Sequence, residues 1–239
     1  MKPQSKYGQY CPIAAAAEII AERWTPLILR GLFAGLTRFN ELHASMPRLS
    51  SALLSTRLAQ LEQMQIIERH RVGAGNKFEY HLTKSGNALW PVLEQMGNWS
   101  QHWLRDSMTS LDNINPDLFF WEVRFANMSN EAGVKRRRVV EIRLTDTEAT
   151  KKLYWMVFDG CEIDLCKKDP GYEIDLWVTA PVQDLVRVWM GHIKLSRAID
   201  IGRISLHGSR KEVEDFGVWF KGSGFQEVGL AASLKLNDR

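Results

Sequence analysis

Cysteine is scarce in this sequence, with three in 239 residues. That count excludes a disulfide framework and points to a reducing compartment. No apolar run approaches the roughly 18 residues that a membrane span requires. The opening MKPQSKYGQY has no apolar core and does not read as a secretion signal. A cytoplasmic protein of bacterial type, with no membrane partner, is the expectation. Catalytic signatures are missing as well. GxSxG, HExxH, CxxC and GxxxxGK before Ser or Thr do not occur, and the six histidines are scattered. The chain therefore reads as neither an enzyme nor a holder of a metal or cofactor.

What is present is ordinary in bulk: 45% hydrophobic and 25% charged residues, in a chain long enough for one large domain or two small ones. The net charge of +3 is unevenly shared. Residues 1–110 carry 12 Lys and Arg against 8 Asp and Glu, while the remainder carries 19 against 20. The sign suits a nucleic-acid-binding N-terminal half. The polar, turn-rich DSMTSLDNINPD at 106–117 breaks the apolar periodicity, which divides the chain into domains at 1–106 and 115–225. KRRR at 135–138 leads into VVEIRL and reads as the solvated start of a strand rather than a binding tail.

In the N-terminal half, Pro12 sits in the first turn of a helix through AAAAEIIAERW. TPLILRGLFAG makes a second helix, with Pro26 near its start and Gly35 near its end. Thr37 is placed to cap a short helix, RFNELHASM, that stops before Pro47. Ser50 is placed to cap the next, which runs to Gln63. IIERHRV and KFEYHLT then read as two strands joined by GAGN, followed by a helix over 85–105 with Leu89, Val92, Leu93, Met96, Trp99 and Trp103 on one stripe.

The helix at 50–63 has an unusual outer side. Leu53, Leu54, Leu58 and Leu61 fall on one face, and the opposite face carries Ala52, Ser55, Thr56, Ala59 and Gln63. Small uncharged residues let a helix approach the floor of a major groove about 12 Å wide, and an acidic face would be repelled by phosphate. Two helices, a tight turn and a hairpin describe a winged helix-turn-helix. The expected DNA-contacting residues are Arg38, Arg48, Ser50, Ser51, Ser55, Thr56, Arg57, Arg69, Arg71 and Lys77. Arg57 lies close to the leucine stripe, where it either reaches a phosphate or pairs with an internal carboxylate.

The run from Cys11 to Trp103 resembles the HxlR family of bacterial transcription regulators. Cys11-Pro12, Arg23-Trp24, Leu29-Arg30, Arg38-Phe39, Leu53, Leu54, Arg57-Leu58, Leu61 and Tyr80 through Gly86 carry the resemblance. It implies a winged-helix fold, a homodimer and double-stranded operator DNA as partner. One departure is the short wing VGAGNK, which lacks prolines. The stripe with its two tryptophans also asks for cover, from a second copy or from the C-terminal domain. Cys11, at a helix start where the dipole lowers a thiol pKa, is a redox candidate or a packed structural thiol. Cys161 and Cys166 stand on opposite faces of a strand and do not pair.

In the C-terminal half, Asn115-Pro116-Asp117 starts a helix. RVVEIRL, KLYWMVF, CEIDLC and YEIDLWV read as successive strands, PVQDLVRVWMG and KLSRAIDIG as helices, RISLHG as a returning strand and SRKEVEDFGVWF as a final helix. The domain is α+β. From YEIDLWV onward it resembles the sterol-carrier-protein-2-like fold, which implies an apolar ligand tunnel. Trp155, Phe158, Trp177 and Trp189 are either core residues or the lining of a pocket for a small hydrophobic effector. The reading is a dimeric transcription regulator with a fused sensing domain; the rival is a lipid carrier whose N-terminal domain only dimerises.

Overall fold

The computed structural model describes residues 7–73, 77–128, 134–160 and 162–237. The chain forms two compact units, Met1–Met96 and Gly97–Arg239. The division falls inside a helix, upstream of the polar stretch at 106–117 where composition places it. No helix among the described residues is long and apolar enough to cross a membrane.

In the first unit, α1 (Pro12–Ile20) has Pro12 in its first turn and no buried residue. It ends at Ile20, short of Trp24 where sequence periodicity carries it, and Trp24 instead caps the next helix in the left-handed conformation, φ 78°. Helix α2 (Thr25–Phe33) buries Ile28, Leu29 and Leu32. Helix α3 (Phe39–Ala44) is not capped by Thr37. Its N-cap is Arg38, whose N–H donates to Glu41 Oε2 at 3.0 Å. The Thr37 carbonyl is engaged elsewhere, accepting from the Tyr80 N–H at 2.8 Å. Helix α4 (Ser51–Gln63) starts at Ser50, whose Oγ accepts from the Leu53 N–H at 3.3 Å. Strands β1 (Ile67–Val72) and β2 (Lys77–Leu82) pair antiparallel; Ala74, Gly75 and Asn76 of the expected turn lie outside the described residues.

The single helix expected over 85–105 is three: α5 (Lys84–Asn87), α6 (Trp90–Trp103) and α7 (Arg105–Met108). Pro91 accounts for the first break, since a proline is accommodated only in a helix's first turn. Gly86, in α5, is fixed by a close approach: a Cβ there would stand 2.1 Å from the Ile66 carbonyl oxygen.

The second unit is built on a five-stranded sheet in the order β5-β4-β3-β6-β7. Its strands are β3 (Val134–Leu144), β4 (Leu153–Gly160), β5 (Glu162–Cys166), β6 (Leu176–Ala180) and β7 (Ser205–Gly208). Among the described residues, only the β3–β6 pairing of this sheet is parallel. Strand β6 begins later than its apolar pattern suggests, after Asp175, whose carboxylate accepts the Val139 N–H at 2.8 Å. Helices α8 (Pro116–Met128), α9 (Val182–Trp189), α10 (Leu195–Asp200) and α11 (Arg210–Trp219) follow the sequence reading, and α12 (Gln226–Asn237) extends beyond the helix expected to be last. Alternation along the strands puts Ile142, Met156, Phe158 and Val178 into the main core with Phe120, Leu185 and Phe216. Val139, Trp155 and Val157 form a small cluster on the other face. The basic run at the start of β3 is tied into ion pairs: Arg136 with Asp175 and Glu212, Arg137 with Asp159, each at 2.7 Å, and Arg138 with Asp215 at 3.3 Å.

Gln101 of α6 is buried among polar partners of the same unit. Its amide nitrogen donates to the Met190 carbonyl at 3.2 Å, and its Oε1 lies 2.8 Å from His192 Nε2. Burial, with Arg105 and Arg187 nearby, pushes the His192 pKa down to about 4. As the pH falls below 6.5 the unfolded chain takes up a proton that the folded His192 refuses until about 4, so stability declines across that window. Denaturant melts from pH 7 to pH 4 will show this decline, and His192→Gln will flatten it. Gly86→Ala forces a backbone shift and is expected to cost about 1–3 kcal/mol in denaturant unfolding at neutral pH.

Candidate nucleic-acid interface

Helix α4 divides cleanly into a seated side and a bare side. Leu54, Leu58 and Leu61 are buried to 2% exposure or less, as is Leu49 just before the helix. Ser51, Ala52, Ser55, Thr56, Ala59 and Gln63 are exposed, and Leu53 is half-buried. The Thr56 hydroxyl donates to the Ala52 carbonyl at 3.0 Å and so faces outward as an acceptor. Ser50 uses its hydroxyl as the cap, which helps orient the first-turn N–H groups beside Ser51.

The expected basic residues are brought together only in part. Arg48 is exposed in the turn before α4. Arg38 is exposed and held to the hairpin, its Nε 3.2 Å from Glu79 Oε1. Arg69 stacks 4.6 Å over the Phe78 ring and lies 3.6 Å from Glu62. By the strand register Arg69 and Arg71 share a face of the hairpin with Phe78 and Tyr80. Lys77 belongs to the opposite face, beside Val72, with His70, Glu79, Glu68 and His81. Arg57 resolves differently from the others: Nη2 is 2.6 Å from Glu22 Oε2, and Nη1 donates to Gln60 Oε1 at 2.8 Å. Its internal carboxylate is thus identified.

Sequence reasoning missed two contributors. A bridge from Arg38 to Glu79, with the Thr37–Tyr80 hydrogen bond, adds a strand-like edge to the hairpin. Glu22 sits on a turn 35 positions from Arg57, and no local spacing signals that pair. Cys11 stands at the N-cap of α1 as a half-buried free thiol. Cys166 is also free, and Cys161 lies outside the described residues.

The four aromatic pocket candidates do not line one cavity. Phe158 and Trp189 belong to the main core, Trp155 packs on the other sheet face, and Trp177 is 42% exposed beside Glu141 on that same face. The split follows from strand alternation, since neighbours 177 and 178 or 155 and 156 must point apart. A narrow apolar pocket is lined instead by Val123, Ile142, Phe158, Phe216, Trp219 and Phe220. Its free volume, about 10 Å³, stands at the threshold for a single water.

A short helix, a tight turn, a second helix with a bare outer side and a two-stranded hairpin define a winged helix-turn-helix. The model of the HxlR-like helix-turn-helix family matches residues 19–108. The chain is 36% identical over 102 residues to the HTH-type transcriptional regulator YvaP of Bacillus subtilis (strain 168), covering 42% of this chain and 94% of that one. It is 36% identical over 92 residues to the HTH-type transcriptional regulator YodB of the same organism, covering 38% and 82%. The solved structure of reduced YodB from B. subtilis is 35% identical, covers 40% of this chain and 95% of that one, and superposes with a TM-score of 0.35. The chain belongs to the HxlR family of helix-turn-helix transcriptional regulators.

Proposed function

We propose that this regulator acts in the cytoplasm as a homodimer on a palindromic operator, each copy placing α4 in a major groove. The exposed small-residue face of α4, set on buried leucines, carries the reading. Ser51, Ser55 and Thr56 meet base edges or phosphates, while Arg38, Arg48, Arg69 and Arg71 position the protein on the backbone. Lys77 adds a positive charge on the other face of the wing, the one that carries Glu79, the partner of Arg38. Residues 1–106 supply DNA binding and dimerisation.

Support for the dimer comes from α6. Val92, Met96, Trp99 and Trp103 recur at steps of four, three and four, the spacing of a two-helix seam, and all four are exposed, Trp103 by 74%. Tyr10 and Ile13, at the start of α1, are exposed as well. An isologous pairing would bury such a seam and hold two recognition helices a DNA turn apart.

Within the second unit, the domain over residues 115–225 is assigned the sensing role, with a sterol-carrier-protein-2-like arrangement. The order of its strands and helices supports that reading. A small apolar effector would enter on the helix-facing side of the sheet beside Phe158, displacing α11 side chains because the present pocket is nearly filled. Its effect would be a change in the spacing of the recognition helices. The lipid-carrier alternative leaves the bare face of α4 without a purpose.

Ser55→Glu places a carboxylate against phosphate and should abolish sequence-preferring, salt-sensitive binding to fragments of the protein's own promoter region while leaving the dimer intact. Electrophoretic mobility shifts at two salt concentrations check this. Trp103→Glu should shift the mass in sedimentation equilibrium toward the monomer; an unchanged mass would remove α6 from the dimer interface.

A further inference from the structure

The arginine in the middle of the recognition helix is positioned unlike its neighbours. Arg38 and Arg69 keep 64% and 43% of their side chains exposed, whereas Arg57 keeps 15%. Both terminal nitrogens are committed, one to Glu22 and one to Gln60, and the Nε is buried. A phosphate contact from Arg57 would compete with these two partners for a side chain that is mostly buried. The residue faces inward, at the border between the leucine side of α4 and the Ser55–Thr56 side.

Glu22 is held by unusual backbone. The Thr25 N–H donates to the Glu22 carbonyl at 3.0 Å, and Trp24, third in that turn, has φ 78° and ψ −21°. Those are the angles that a type II turn has at its third residue, where glycine is the usual occupant. A bulky residue persists there only when its surroundings fix it. The turn joins α1 to α2, so the carboxylate that holds Arg57 of α4 is set by the path of α1.

We propose that Glu22 and Arg57 form a positioning pair that fixes the rotation of α4, and that Arg57 acts through the placement of Ser55 and Thr56 rather than on DNA. The inference rests on α4 being the groove-entering helix. A rotation of about 20° moves atoms about 5 Å from the helix axis by roughly 2 Å, more than a hydrogen bond to a base edge tolerates. The pair also links α1 to the reading helix, so a displacement of α1 reaches α4 through one ion pair.

The test uses the full-length protein and the duplex that the wild type enriches from a randomised pool, with a scrambled duplex as reference. Affinities are measured over a range of salt for Glu22→Gln, Arg57→Gln, Arg57→Lys and the double Gln variant. Each single Gln variant is expected to lose about tenfold or more in specific affinity, with the scrambled duplex bound as before and the salt slope unchanged. The double variant is expected to be no worse than either single, because one interaction is removed in all three. Arg57→Lys, which keeps the pair to Glu22, should recover part of the loss. A salt slope reduced by about one phosphate in Arg57→Gln, with Glu22→Gln neutral or tighter, would assign Arg57 to the DNA backbone and overturn the proposal. Equal losses on both duplexes with a lowered melting midpoint would reduce the pair to a fold contact and overturn it too. Enrichment of no sequence by the wild type would defeat the reading of α4 itself.

Discussion

The first unit depends on one helix being asked to do two incompatible things. Helix α4 must be held firmly enough to present a fixed surface, yet that surface must carry almost nothing. Leu54, Leu58 and Leu61 meet the first demand by burial alone, each fully buried side chain being worth about 1.5–3 kcal/mol. The second demand explains the absence of the charged residues that solvate most surface helices. With its bare face made of uncharged residues, α4 leans on its cap at Ser50 and on the ion pairs at its edges, Arg57 with Glu22 and Glu62 with Arg69. The tie from Thr37 to Tyr80 and the ion pair from Arg38 to Glu79 join the start of α3 to the wing, so the helix pair and hairpin form one support.

Much of this is legible in the amino-acid sequence. The leucine period, the Ser50 cap, the hairpin and the order of strands and helices in the second unit all follow from patterns within a few residues of one another. What was not legible is long-range or depends on backbone angles. Arg57 could be placed on a border but not given a partner, because Glu22 is distant in sequence and signals nothing locally. Trp24 hides its left-handed conformation, since nothing about a tryptophan announces it. Thr37 has the chemistry of a cap, but its backbone is drawn to Tyr80 and the N-cap passes to Arg38.

The aromatic residues of the second unit teach a related lesson. As a group they resemble a pocket lining, yet period-two alternation sends Trp155 and Trp177 to one sheet face while Phe158 and Trp189 meet in the core. The core that results is close to filled. A sensing role for this unit therefore requires side-chain movement around Phe216, Trp219 and Phe220, and any apolar effector must displace protein before it gains contacts.

The single parallel pairing in that sheet sets an order of assembly. Strands β3, β4 and β5 are consecutive antiparallel neighbours and can zip through short connections. Strand β6 joins the open edge of β3 only after the chain has passed β4 and β5, and it brings α9, α10 and β7 with it. Closure over that longer loop is entropically slower than hairpin formation. During synthesis the winged domain leaves the ribosome first, and the edge of β3 waits for its partner. That unpaired edge, carrying Val140 and Ile142, is where a nascent or partly unfolded chain is most open to pairing with a second copy.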